Sequence, residues 1–274
     1  MLWHVPTVVA SSGDAAVVGR TGPLTTVYAV TDPLAGLLDL PECRTAFDDA
    51  RAAVDDAMRH PALRRSGGPV AVEVGLRTAV ASAALDGHGY EVDAVRSGTV
   101  TDPVLQGALR VSGALDGLGG TWSRAPRQVL ARLHVLAARD AVPADVLGRP
   151  TTDPAAATRL DALATVITTT TAPAMVVAAV VHGELLTLSP FAGPSGVVAR
   201  GAARLALIRG GLDPRGLLAV DVGHLEREPE YRGASGAFAT GTRDGVRSWL
   251  KHYAAAITIA AAELTDIADN IVTT

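Results

Sequence analysis

Apolar and polar positions follow a helical period along most of the chain. After Pro41, the segment ECRTAFDDARAAVDDAMRHPAL sets Phe47, Val54 and Met58 on one face and its acids outside, which predicts a helix. Pro61 and the run Ser66, Gly67, Gly68, Pro69 end it and read as a linker. Residues 99–140 read as two helices parted by the glycines at 117–120, with Pro126 near the start of the second. Residues 142–154 read as loop, bracketed by Pro150 and Pro154. Two more helices follow over 155–170 and 173–188, and Pro173 opens the second. A short Gly/Pro/Ser loop comes next, then an Ala/Leu/Arg-rich helix that Gly210 and Gly211 terminate. Residues 217–220 read as a strand, and a charged, then Gly-rich stretch leads to a closing helix over 247–271, with Trp249, Leu250, Tyr253 and Ile257 inward. Only residues 1–40 depart from this rhythm, as loops with room for a strand pair.

Composition narrows the picture. The chain has 274 residues, 48% of them hydrophobic and only 4% aromatic, so its core is aliphatic and suited to close helix packing. A net charge of −4, with acids and bases interspersed, gives no general affinity for polyanions and excludes non-specific nucleic-acid binding. A single cysteine, Cys43, cannot form an internal disulfide and fits a reducing compartment. The most apolar window, 172–181, is far shorter than the roughly 20 residues of a spanning helix, and the first residues lack a basic export region. No membrane contact and a cytoplasmic location are expected.

Chemistry is concentrated in residues 180–211, VVHGELLTLSPFAGPSGVVARGAARLALIRGG. A loop of small residues feeding a helix start can turn backbone N–H groups and the positive dipole end onto an anion. One outline is a dinucleotide fingerprint, Gly193-x-x-Gly196-x-x-Ala199 after a strand over 184–188, with 217–220 as the next strand and Asp221 as the ribose acid. It implies an NAD(P)-dependent oxidoreductase. Gly and Ala are so common here that such a pattern recurs by chance, and the mostly helical tail offers few further β-α units.

The other outline is SPFAGPSGVVAR, residues 189–200. It resembles the signature of the Fic (Fic/Doc, AMP-transferase) family, H-P-F-x-[DE]-G-N-G-R-x-x-R, with Pro190, Phe191, Gly196 and Arg200 matching. Ser189 stands at the catalytic His position, Gly193 at the metal-binding acid, Pro194 at a loop Gly, Ser195 at the Asn and Val197 at the first Arg. A second segment, SAALDG, resembles the self-inhibitory [ST]-x-x-x-E-[GN] helix end of that family through Ser82, Asp86 and Gly87, with Asp for Glu. The resemblance implies an inhibitory helix near 73–87 whose Asp86 pairs with Arg200. It also implies an all-α, mainly helical fold over 67–274, preceded by a small irregular or β-containing N-terminal segment, 1–66, with loops and one helix.

In the family, the His removes a hydroxyl proton while the acid's metal and two arginines hold a triphosphate. Ser189 has no ionisable group for that step, Gly193 offers a metal nothing, and Val197 and Pro194 each remove a donor. No catalytic residue by the family mechanism, no metal and no cofactor are therefore expected. Phe191, Gly193, Ser195, Gly196 and Arg200 remain as an anion or nucleotide site. The resulting expectation is a Fic-fold binding, regulatory or structural module without standard AMP transfer, with an unidentified protein partner or a homodimer. Its alternative is noncanonical nucleotidyl or phosphate-ligand transfer with ATP or another nucleotide. Other chemistries lack their residues. Val197 replaces the second Gly of G-x-S-x-G, no Walker loop is present, and the seven histidines show no ligand spacing. His134, set among Leu and Val at helical spacing, reads as a core histidine.

Overall fold

Helices account for every regular element of residues 32–273, the part of the chain that the computed structural model describes. In order these are α1 (Cys43–Ala57), α2 (Ala62–Arg65), α3 (Gly67–Leu85), α4 (Val92–Arg96), α5 (Pro103–Trp122) and α6 (Pro126–Ala138). They continue with α7 (Pro154–Thr169), α8 (Ala174–Leu188), α9 (Ser195–Arg209), α10 (Val220–Glu226), α11 (Glu228–Ala239) and α12 (Arg243–Thr273). Single 3₁₀ turns lie at Leu37–Asp39 and Ala144–Val146. Several starts are written locally. Asp102 caps α5 by accepting from the N–H of Val104 and Leu105, and Asp153 caps α7 through Ala155 and Ala156. In both, proline occupies the next position, where a missing N–H costs nothing.

The centre of the bundle is the α8–α9 pair. A helix reading AMVVAAVVHGELLTL has almost no polar face, and such a helix belongs inside. α9 is buried continuously from Val197 to Leu207 because α3, α5 and α6 cover it while α8 lies alongside. α11 and α12 pack on α8, α10 fits between α3 and α12, and α1 runs along α12. Small residues permit this closeness. A Cβ on Gly223 of α10 would sit 2.3 Å from the Ala256 carbonyl oxygen, so only glycine lets that crossing form. Phe47, Ala50 and Val54 of α1 belong to the same hydrophobic core as α8 and α9.

Three local expectations are corrected, and one stretch without an assigned element is filled in. α5 runs straight through the glycines at 117–120, because burying Leu115 and Trp122 on one face outweighs a cost of about 1 kcal/mol per glycine; the break comes at 123–125. The expected linker at 66–69 is the first turn of α3, where Pro69 lies among N–H groups that need no helical partner. The charged, Gly-rich stretch before 245 forms α10 and α11, with Tyr231, Ala234 and Phe238 as a buried stripe. Residues 184–188 are the last turn of α8, and 217–219 are buried irregular chain entering α10, so neither expected strand exists. Without a parallel sheet among the described residues, which include the whole proposed fingerprint, there is no dinucleotide fold there, and the oxidoreductase reading falls. The strand pair expected within 1–40 lies almost wholly outside the described residues, of which 32–40 are turns and a 3₁₀ turn. Among the described residues no helix is long and apolar enough to cross a membrane.

Candidate functional site

The loop between α8 and α9 is held by backbone bonds, by the His134 imidazole and by the loop's own Ser189 and Phe191 side chains. Ser189 ends α8 in the left-handed region (φ 39°, ψ 57°), unusual for a residue with a Cβ, and its Oγ donates back to the Leu186 carbonyl at 3.0 Å. The Pro190 carbonyl accepts from Thr151 N–H at 2.7 Å. Phe191 is buried and stacks on His134, ring centres 4.8 Å apart. Gly148 N–H can only donate, so His134 Nδ1 accepts from it at 2.9 Å, and Nε2 therefore carries the hydrogen and donates to the Ala192 carbonyl at 2.8 Å. Burial lowers the His134 pKa, the Ala192 carbonyl opposing it, and the neutral ring serves this geometry. His134 is thus a core histidine that also fixes the loop, a role its sequence spacing does not reveal.

At the other side of the loop, α9 begins against the end of α3. The N–H groups of Gly87 and His88 bond the carbonyls of Ala84 and Ala83, a Schellman closure that needs the positive φ of Gly87 (91°). That closure holds Asp86 against the first turn of α9. A Cβ on Gly196 would lie 2.2 Å from Asp86 Oδ1, so glycine is required for the carboxylate to sit there. Arg200, one turn on, is 2% exposed and binds from three directions. Its Nη2 donates to Asp86 Oδ1 at 2.7 Å and to the Ser82 carbonyl at 2.8 Å, its Nε to Ser82 Oγ at 2.8 Å, and its Nη1 to Tyr231 Oη at 3.3 Å. Asp221 stands 3.7 Å from Nε. Burial works against the Arg200 charge, but Tyr231, Asp86 and Asp221 outweigh it and raise the pKa.

Solved structures of similar architecture show what fold carries this arrangement. A Fic family protein from Desulfovibrio desulfuricans G20 superposes with a TM-score of 0.66 at 20% identity, over 81% of this chain and 74% of that one. A fragment of Fic-1 from C. elegans gives 0.62 at 18% identity, over 84% and 73%. The chain has the Fic fold. A single-substitution form of the same C. elegans fragment agrees, at 0.61 and 20% identity over 84% and 74%. No protein-family model matches the chain, and no curated protein matches it. At such identities the likeness is one of fold.

On this Fic fold, residues 189–200 occupy the junction between the two central helices. A recess of about 460 Å³ opens beside them, lined by Asp86, His88, Ser189, Gly193, Ser195 and Gly196 among others. Phe191 does not face it but anchors the loop from below. Ser195 Oγ is buried with no hydrogen-bonding partner among the described groups. His88 is tied at Nδ1 to Asp102 Oδ2, 2.9 Å away. No carboxylate stands at Gly193, and among the described residues no group of three His, Cys, Asp or Glu side chains is placed for a metal. The residues present therefore do not fit the family's metal.

Beneath Arg200 lies a buried cluster absent from any sequence motif. The Tyr231 hydroxyl accepts from Arg200, leaving its hydrogen for His182 Nε2 at 3.1 Å, and His224 Nδ1 meets His252 Nε2 at 3.0 Å. Trp249 and Tyr253 pack around these rings. Burial lowers the His182 and His224 pKa values well below normal and that of His252 to about 4, so the cluster is neutral. Asp221, expected as a ribose ligand, faces Arg200 instead.

Proposed function

We propose that this protein is a Fic-fold binding or regulatory module without standard AMP-transferase activity, its signature loop closed by its own α3. The observation that carries the reading is the Asp86 carboxylate pressed onto Gly196 and bonded to Arg200. A helix start with small residues attracts an anion, and here a side chain of the same chain supplies one. A phosphate entering that cradle has to displace a carboxylate held by a buried guanidinium. Ser189 adds no base, since its Oγ is turned back onto α8, and Gly193 adds no metal ligand.

The test is incubation with ATP labelled on the α-phosphate and Mg²⁺ or Mn²⁺, using the parent and Asp86→Gly. No label is expected on the protein itself or on added cell extract with either form. Label transfer by Asp86→Gly would instead mean that the loop is catalytic and merely blocked. A second reading, phosphate-ligand transfer of changed chemistry, is favoured by His88, whose Nδ1 is fixed by Asp102 while the ring borders the recess beside Ser195. Under that reading the label appears with Asp86→Gly and disappears in Asp86→Gly combined with His88→Ala.

A further inference from the structure

The far end of α9 carries a second concave site. A cavity of about 540 Å³ opens between α3, α4, α5 and the end of α9, well within the size of small-molecule sites. Val72, Leu76, Leu109 and Ile208 give it an apolar wall, and Val72 is 74% exposed, the most exposed large hydrophobic residue among those described. Its polar lining comes from Arg204, Arg215, Ser112, Asp116 and Arg96, the last already paired with Glu73.

Arg204 is only 6% exposed, yet its bonds are few and long. Nη1 reaches Ser112 Oγ at 3.3 Å, Nη2 reaches the Gly216 carbonyl at 3.4 Å, and Nε has no partner among the described groups. It makes no ion pair among the described residues; Asp221 shares a void of about 10 Å³ with it, and Asp213 is committed to the N–H groups of Leu217 and Leu218. Arg215 donates to the Leu63 carbonyl and likewise forms no ion pair among the described residues, although its charge and that of Arg204 both pull on Asp213 through space. A guanidinium taken out of water is poorly satisfied by two stretched neutral acceptors, and a planar carboxylate matches its fork. Asp116 at the rim, with Asp213 and Asp221 behind, disfavours a second negative charge on the ligand.

We propose that this cavity binds an aliphatic monocarboxylate, its head on Arg204 and Arg215 and its chain along the Val72, Leu76, Leu109 and Ile208 wall. The site lies apart from the α8–α9 loop, and its occupancy is independent of the reading given for that loop. The probe is octanoate, titrated by calorimetry into the full chain, with acetate and inorganic phosphate as comparisons. Gly113 borders the cavity and a Cβ there meets nothing within 4 Å, so Gly113→Leu plugs the site on a helix that gains from losing glycine. Octanoate is expected to bind the parent at least about tenfold more tightly than acetate or phosphate, and to weaken by about tenfold in Arg204→Gln. Binding is lost in Gly113→Leu, whose folding is unimpaired. No octanoate binding to the parent, equal binding to Gly113→Leu, or phosphate binding as tightly as octanoate would overturn the proposal.

Discussion

Arg200 and Arg204 stand one turn apart on α9, at 2% and 6% exposure, and their surroundings could hardly differ more. Arg200 is met by a carboxylate, a hydroxyl, a backbone carbonyl and a phenol, with a second carboxylate at 3.7 Å. Arg204 has two long bonds and an unpartnered Nε. Burial of a charge therefore does not by itself mark a working site. The end of the helix that resembles a known signature is the one whose cation is already saturated, and the end without any motif is the one left open.

The largest expected effect follows from that contrast. Arg200→Met strands Asp221 and Ser82 in the core and leaves the partly exposed Asp86 unpaired, and stability should drop by about 3–5 kcal/mol, a loss on the order of 10 °C in Tm. Arg204→Met removes a charge that forms no ion pair among the described residues and meets Asp213 and Asp221 only through space, so the loss should be well below that of Arg200→Met. Urea denaturation of both proteins checks this. Equal losses would show that partner count does not separate the two positions.

A smaller effect distinguishes the two ends by pH. Around Arg200, His182, His224 and His252 have lowered pKa values in the folded protein, that of His252 about 4. The unfolded chain takes up their protons near pH 6.5 while the folded one does not, so their contribution is full above about pH 6.5 and is lost as pH falls toward 4. Near Arg204 the sign is opposite. Burial raises the Asp213 pKa to about 6, so the folded state holds that proton more tightly, and its contribution is favourable in acid and lost as pH rises through 6. Burial raises Asp221 likewise, against the pull of Arg200. With His134, whose pKa burial also lowers, four histidines stand against two acids, so the urea midpoint should fall between pH 6.5 and 4. Asp213→Asn should steepen that fall, because the opposing proton is removed. A midpoint that rises on acidification would reverse the balance assigned to the two ends.

What the sequence made legible follows the same division. Pro126 and Pro173 announce helix starts because a missing N–H is a local matter, and α6 and α8 begin beside them, whereas Pro154, read as the end of a loop, opens α7. The helical bundle is legible from apolar periodicity, and the approach of Ser82 and Asp86 to Arg200 from the order of two motif-like segments. α5 could not be read through its glycines, since Leu115 and Trp122 decide the matter by tertiary burial. The charged residues of α11 conceal the stripe of Tyr231, Ala234 and Phe238. His134 gives no sign of its task, because both its partners are backbone groups brought from other segments. Arg204 has the same helical spacing as any buried neighbour, and only the count of atoms around it sets it apart from Arg200.

The smallest expected effect is none. Ser189→His restores the signature base in a position held at φ 39°, and Asp86→Gly clears the carboxylate from Gly196. If the closed end of α9 were an ordinary transferase site lacking one group, the double variant would recover AMP transfer. AMP transfer needs a base, a metal and a phosphate clamp acting together, so restoring one while Gly193 and Val197 stay in place leaves two missing. No label from ATP is expected on the double variant above the level of the parent. Any time-dependent incorporation would show that Ser195, the loop amides and Arg200 form a competent clamp, and the distinction between a saturated and an open arginine would then lose its functional meaning.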